Sequence, residues 1–217
     1  MRILIMTDIH GCYDELIQLL NKVSYDKNKD KLIILGDLVD RGPKTLEVLD
    51  FCMNNSEYIE VLMGNHDRML LDAIKIAKIK SIKKIKPDSS IGLLMSRGSE
   101  YVDKVYNYIE GLKYYKILEE DKVILVHGGM FNDRKIDDQD KLDMILARPI
   151  DKGYNDIQGY RFIVGHTPTI SLLNAQKTAF ERGNTLFLDC GCVHGGNLCC
   201  YWLEGNEFYY IQGKDYA

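Results

Sequence analysis

Four histidines of this 217-residue chain (His10, His66, His127 and His166) each follow an apolar run in a loop that contains glycine, and three strand-end loops contribute Asp8, Asp37, Asp40 and Asn65. Imidazole, carboxylate and amide oxygen together suit Mn²⁺, Fe or Zn²⁺, and the set is too rich in nitrogen for a dedicated Ca²⁺ or Mg²⁺ site. Asp8 and His10, two apart on an extended segment, point the same way and can grip one ion. Asn65, His127 and His166 come from three other loops and can hold a second, which leaves Asp37 as the carboxylate able to bridge both. Two ions about 3.5–4 Å apart activate a water for in-line attack on phosphorus, so no Ser or Cys nucleophile is required. A leaving alkoxide still needs a proton. His66, next to Asn65, is placed to give it, with Asp40 fixing its tautomer and raising its pKa. Arg41 offers a guanidinium fork that matches two phosphate oxygens; the bland alternative for it is a surface ion pair.

Such loops must be brought together by the elements that carry them. Residues 2–6 (RILIM) read as a strand, and Leu16, Leu19, Leu20 and Val23 then recur at helical spacing. The same strand, loop and helix return with LIIL at 32–35, and again with YIEVLM at 58–63. Three such units predict a largely parallel sheet, with polar loops at the carboxyl ends of its strands. Residues 68–115 interrupt the alternation with a long, mostly helical stretch that reads as a cap or substrate-side insertion. Beyond it, KVILVHGG and YRFIVGHT again put a histidine directly after an apolar strand. NTLFLDCG, NLCCYWL and EFYYIQ follow as closely spaced strands with turns at Gly195-Gly196 and Gly205-Asn206, which predicts a second, more antiparallel sheet. No convincing linker divides the chain, so residues 1–217 are expected to form one domain.

Composition narrows the partners. A formal net charge of −4 gives no global attraction to nucleic acid or to an anionic membrane. No apolar run is long enough to span a bilayer, and the start MRILIMTDIHG lacks the features of a signal peptide, so a cytoplasmic protein is expected. Six scattered cysteines fit reduced thiols better than a disulfide scaffold.

DIHG (8–11), GDLVDRG (36–42), GNHD (64–67), HGG (127–129) and GHT (165–167) resemble, in order, the signature of the phosphoprotein phosphatase branch of the calcineurin-like metallophosphoesterases. The nearest likeness is to small bacterial and phage enzymes similar to lambda phosphatase. That resemblance implies an α/β (α+β) fold, a β-sandwich flanked by helices, with a dinuclear centre at one rim. Residue by residue it implies Asp8, His10 and Asp37 on one ion and Asp37, Asn65, His127 and His166 on the other. It makes His66 with Asp40 the general-acid pair and Arg41 the first phosphate-binding arginine. A second arginine is expected between HGG and GHT; of Arg134, Arg148 and Arg161, Arg148 in MILARP matches best. Two Mn²⁺ ions are the implied cofactor, with Fe or Zn²⁺ as alternatives. The function expected on this basis is a serine/threonine protein phosphatase that hydrolyses phosphate monoesters of a phosphoprotein or phosphopeptide, with a monomer favoured. The alternative is a dinucleoside tetraphosphate hydrolase or another nucleotide or small-molecule phosphoesterase, because the same metal chemistry serves those substrates.

Other features invite blander readings. The lysine-rich run at 75–87 could guide an anionic substrate, but a solvated helix face explains it as well. Cys190, Cys192, His194, Cys199 and Cys200 lack the paired spacing of a structural zinc site, and read as buried strand and turn residues. Asp189 reads as a strand-end residue, and Tyr201, Trp202, Phe208, Tyr209 and Tyr210 as hairpin and core residues rather than a base-stacking platform.

Overall fold

The computed structural model describes residues 1–79, 86–150, 153–157, 159–172 and 176–216. Its first part runs β1 (Arg2–Met6), α1 (Tyr13–Lys22), β2 (Asp30–Ile34), α2 (Thr45–Asn54), β3 (Ile59–Val61) and α3 (Asn65–Ile79). β1 pairs with β2 and β2 with β3, both in parallel, as the threefold repeat predicts. Helices α4 (Ser90–Ser96) and α5 (Ser99–Glu110) come next, then β4 (Tyr115–Leu118), β5 (Val123–Val126), α6 (Lys141–Leu146) and β6 (Arg161–Val164). The chain closes with β7 (Phe180–Arg182), β8 (Thr185–Phe187), β9 (Asn197–Trp202) and β10 (Glu207–Gln212).

Two five-stranded sheets result, in the orders β10-β9-β1-β2-β3 and β4-β5-β6-β8-β7. Their strands are continuous apolar runs because both faces are covered, and successive side chains serve different layers. Ile5 and Ile33 point into the core between the sheets, where they meet Leu125, Ile163 and Leu186. Leu4, Met6, Leu32 and Ile34 face the opposite way, onto Leu16 and Leu19 of α1 and Val48 and Leu49 of α2. On the outer face of the second sheet, Ile124, Val126, Phe162 and Val164 pack with Met144 of α6. The expected α/β sandwich flanked by helices is what forms.

Two expectations about topology change. β9 and β10 do form an antiparallel hairpin, but it joins the first sheet beside β1 instead of building a second one. β8 lies parallel to β6, so the second sheet has a parallel centre (β5, β6, β8) and antiparallel edges. Gly195-Gly196 therefore lies where the chain passes from one sheet to the other, and does not close a hairpin. Strand pattern fixes which residues are extended; pairing partners depend on which edge is open after the first sheet has formed.

The stretch expected as a cap is helical, but it packs as part of the helical layer. Leu94, Val105 and Ile109 lie fully buried in the same core as Leu16 and Leu49. Of the lysine-rich run, Lys80, Lys83 and Lys84 lie outside the described residues. Lys75 pairs with Glu110 at 3.4 Å and Lys78 with Asp103 at 2.7 Å, both on α5. All six cysteines are free and buried. No helix among the described residues is long and apolar enough to cross a membrane.

Candidate metal centre

The loops leaving β1, β2, β3, β5 and β6 meet at one rim of the sandwich, and their backbones are not relaxed. Asp8, His10, Asp37, Asp40, Arg41 and His166 all have positive φ, between 45° and 70°. That left-handed region is costly for side-chain-bearing residues, and it is typically retained where the surrounding structure holds a functional group in place. Two glycines allow the loops to close. A Cβ on Gly64 would collide with the backbone nitrogen and carboxylate of Asp37, and one on Gly165 with Thr7 Oγ1 and Asp8 Oδ2.

Asp37 stands at the middle. Its carboxylate belongs to two groups of donors whose atoms lie within 4.8 Å of one another, one with His10 and His66 and the other with His127 and His166. Asn65 Oδ1 completes the second group, 3.1 Å from His127 Nε2 and 2.8 Å from His166 Nδ1. Asp8 lies on the side of His10, with Oδ1 3.9 Å from His10 Nε2, while its Oδ2 accepts hydrogen bonds from Thr7 Oγ1 at 2.6 Å and His166 N at 3.0 Å. His66, expected as the proton donor, thus also comes within this distance of His10 and Asp37.

The donors fit divalent ions. His10 Nδ1 donates to the Val39 carbonyl at 2.8 Å and His127 Nδ1 to the Leu35 carbonyl at 2.9 Å. Each bond orients its ring with Nε2 near Asp37 Oδ2, at 3.4 Å for His10 and 3.5 Å for His127, which is how a protein prepares an imidazole ligand. Four carboxylates (Asp8, Asp37, Asp67 and Asp189) are nearly or fully buried here. Burial and the Asp37 charge push Asp67 up to about 7, and burial with the Asp8 charge pushes Asp189 well above the carboxylate range. Such crowding of buried negative charge is relieved by a cation. Burial holds His10 below the usual imidazole range despite Asp37 and Asp8, and burial with the charges of His127 and Arg148 pushes His166 down to about 3. Both are the neutral ligand form. His127 is opposed by burial but pulled up to about 10 by Asp37, so an ion there would displace a proton.

Next to the donors is a chain of orienting contacts. His66 Nδ1 donates to Asp40 Oδ2 at 2.8 Å, and the other oxygen of Asp40 accepts a hydrogen bond from Ser90 Oγ, the first residue of α4. Burial works against charge on His66, yet its bond to Asp40 and the Asp37 charge raise its pKa above the ordinary imidazole value. Arg41 donates through Nη1 to His10 Nε2 at 2.8 Å and through Nη2 to His66 Nε2 at 3.0 Å, so it is bound into the site and is not a surface ion pair. Of the three candidate second arginines, Arg134 is tied to Asp143 at 2.9 Å, and Arg161, at the far end of β6, bonds Tyr201 and Glu181. Arg148 is exposed and near enough for its charge to act on His166.

Sequence reasoning left two residues without roles. Asp67, the last residue of GNHD, accepts the backbone N–H groups of Asp37 at 2.8 Å, Leu38 at 2.9 Å and Gly64 at 3.0 Å, and so ties two ligand loops together. Its place in the motif was the available signal. Ser90 had none, because it lies in a helical stretch 50 residues from Asp40. Asp189, read as a turn or strand-end residue, lies two residues beyond β8, buried and near enough for the charges of Asp8 and Asp37 to act on it; its Oδ1 accepts from Gly191 N at 3.0 Å.

A calcineurin-like phosphoesterase family model matches residues 1–211. Over 124 residues the chain is 39 % identical to the symmetrical bis(5'-nucleosyl)-tetraphosphatase of Buchnera aphidicola subsp. Baizongia pistaciae (strain Bp), which is 57 % of this chain and 42 % of that protein. The enzyme of the same name from Proteus mirabilis (strain HI4320) is 37 % identical over 123 residues, again 57 % of this chain and 42 % of the relative. The chain therefore matches less than half the length of these relatives. Among solved structures, a candidate diadenosine tetraphosphatase superposes with a TM-score of 0.73 at 23 % identity, covering 98 % of this chain and 94 % of the other. A serine/threonine phosphatase of Saccharomyces cerevisiae superposes at 0.63 with 14 % identity, covering 100 % and 81 %. At those identities the structures speak for the fold alone.

The expectation of a serine/threonine protein phosphatase with a phosphoprotein partner is overturned by these relatives, which are tetraphosphatases. So is the narrower kinship with lambda phosphatase. The physical reason is that the five motifs carry the candidate metal ligands and the candidate proton donor, and are silent on what the phosphorus is attached to.

Proposed function

The chain belongs to the calcineurin-like phosphoesterase family, and from that premise we propose that it hydrolyses dinucleoside tetraphosphates at the central anhydride to give two nucleoside diphosphates. The observation that carries this reading is the 37–39 % identity to symmetrical bis(5'-nucleosyl)-tetraphosphatases.

Asp8, His10 and Asp37 would hold one divalent ion and Asp37, Asn65, His127 and His166 the other, with Mn²⁺ the proposed metal. When bound, the pair supplies positive charge at the phosphoryl oxygens and lowers the pKa of water. The chain's own groups do the rest. Arg41, whose fork lies on His10 Nε2 and His66 Nε2 in the structure, would turn from them to two oxygens of the attacked phosphate, freeing His10 for an ion and His66 Nε2 to carry a proton, and Arg148 would close on the same group. His66 presents Nε2 toward the oxygen that leaves, held there by Asp40, which Ser90 holds in turn. The oxygen of water bonds to phosphorus as its proton passes to solvent, the bridging P–O bond breaks, the departing diphosphate takes a proton from His66, and His66 regains one from solvent. Because a terminal phosphate has a pKa of about 6, that proton matters less here than for an alkoxide.

The test is nucleotide analysis after Mn²⁺ is restored to chelator-treated protein with diadenosine tetraphosphate. ADP as the sole nucleotide product is expected. AMP with ATP would refute symmetrical cleavage, and intact substrate beside turnover of 4-nitrophenyl phosphate would refute the substrate class.

A further inference from the structure

A groove of about 820 Å³ runs between α3, β4 and the segment from Ile136 to Met144. Its wall is built from segments that adjoin the ligand loops, although no candidate ligand lines it. Arg68, in its wall, lies one turn after Asn65 on the same face of α3. Met63 precedes Asn65 by two residues, and the carbonyl of Met144 accepts the N–H groups of Gly128 at 2.7 Å and Gly129 at 3.2 Å, directly after His127.

Its charge is opposite to that of the chain. Five cationic side chains line it (Arg68, Lys75, Lys113, Lys116 and Lys141) against the carboxylates Glu110 and Asp137. Lys116 is neutralised by Glu60 at 2.7 Å, Lys75 is paired with Glu110, and Arg68 bonds Asp72 at 2.9 Å. Lys113 and Lys141 are exposed and have no ion pair among the described residues. Between the cations stands an aromatic ring. Tyr114 accepts a hydrogen bond from Arg68 Nη1 at 3.0 Å, and the ammonium of Lys141 lies 5.2 Å from its ring centroid. A groove of this size suits a nucleotide, since small-ligand sites span roughly 300–1,000 Å³.

We propose that this groove binds the departing nucleoside diphosphate half of the substrate, with Lys113 and Lys141 on its phosphates and its base against Tyr114. The proposal rests on the tetraphosphatase reading. The groove gives the second nucleotide a place that a simple phosphate ester would not use, and so makes length of substrate, not only phosphorus chemistry, a basis of choice.

Lys141→Glu and Lys113→Glu, each compared with wild type and with Lys22→Glu on α1 as a matched charge change, test it. Each groove variant is expected to lower kcat/KM for diadenosine tetraphosphate about tenfold, the size of one charge-assisted hydrogen bond. Turnover of 4-nitrophenyl phosphate should stay at the wild-type value, and Lys141→Arg should restore the tetraphosphate rate. Unchanged tetraphosphate turnover in both groove variants would overturn the proposal, as would equal loss on both substrates or an equal effect of Lys22→Glu. If wild type itself releases no ADP, the substrate reading fails first and the groove proposal with it.

Discussion

His66 and Asp40 are joined by a 2.8 Å hydrogen bond from Nδ1 to Oδ2 that leaves the opposite nitrogen of the ring facing Arg41. A proton donor so held should matter in proportion to how badly the leaving group needs a proton. His66→Asn is expected to cost about 10²–10³-fold on an alkyl phosphate, and about tenfold or less on diadenosine tetraphosphate or an aryl phosphate. Kinetics on the three substrates, at equal metal content, decide it. Equal losses would remove His66 from the proton-donor role.

Asp37 is shared by both donor groups, so one substitution should disturb two ions. Asp37→Asn is expected to reduce bound metal from near two per chain to below one, read by atomic emission after dialysis. Gly64→Ala should do the same with the carboxylate intact, because its new Cβ would displace Asp37. Two well-occupied ions in Asp37→Asn would end the bridging assignment.

Asp67 carries no expected ligand role, yet it accepts three backbone N–H groups in full burial. Asp67→Ala strands all three and should lower unfolding free energy by at least about 2 kcal/mol, as buried unpaired donors do. Urea denaturation measures this. Asp67→Asn keeps one acceptor oxygen and should lose less; equal stability of Asp67→Ala and wild type would mean the loops do not depend on it.

Far from the centre, Arg2 donates to Asp30 at 2.7 and 2.8 Å, and its guanidinium is the main reason the carboxyl titrates below its ordinary range. A carboxylate with a depressed folded pKa contributes stability that is fully present above the unfolded value of about 3.9, and loses it as pH falls through the folded one. Asp30→Asn should therefore cost on the order of 1–2 kcal/mol at pH 7. That cost should shrink as the pH is lowered below about 4. Urea midpoints of both proteins at pH 7 and pH 3 supply the comparison; a constant difference would place the effect in packing instead.

The sequence by itself determined what is local. A strand ends where its apolar run ends, so His10, His127 and His166 could be located at strand ends, and the three strand, loop and helix units at the start of the chain followed from periodicity alone. The mixture of imidazole, carboxylate and amide oxygen pointed to divalent metal ions, and the motifs in order to the calcineurin-like phosphoesterase family. Tertiary structure decided what depends on residues remote in the chain. Only folding sets β9 against β1, brings Ser90 to Asp40, and lays His166 N on the Asp8 carboxylate across 158 positions. It also gave Asp67 its three donors and put Arg41 between His10 and His66. The reason is that a side chain's type and spacing are written along the chain, whereas hydrogen-bond partners, burial and the charge felt by each carboxylate arise from segments that meet only once the two sheets have packed.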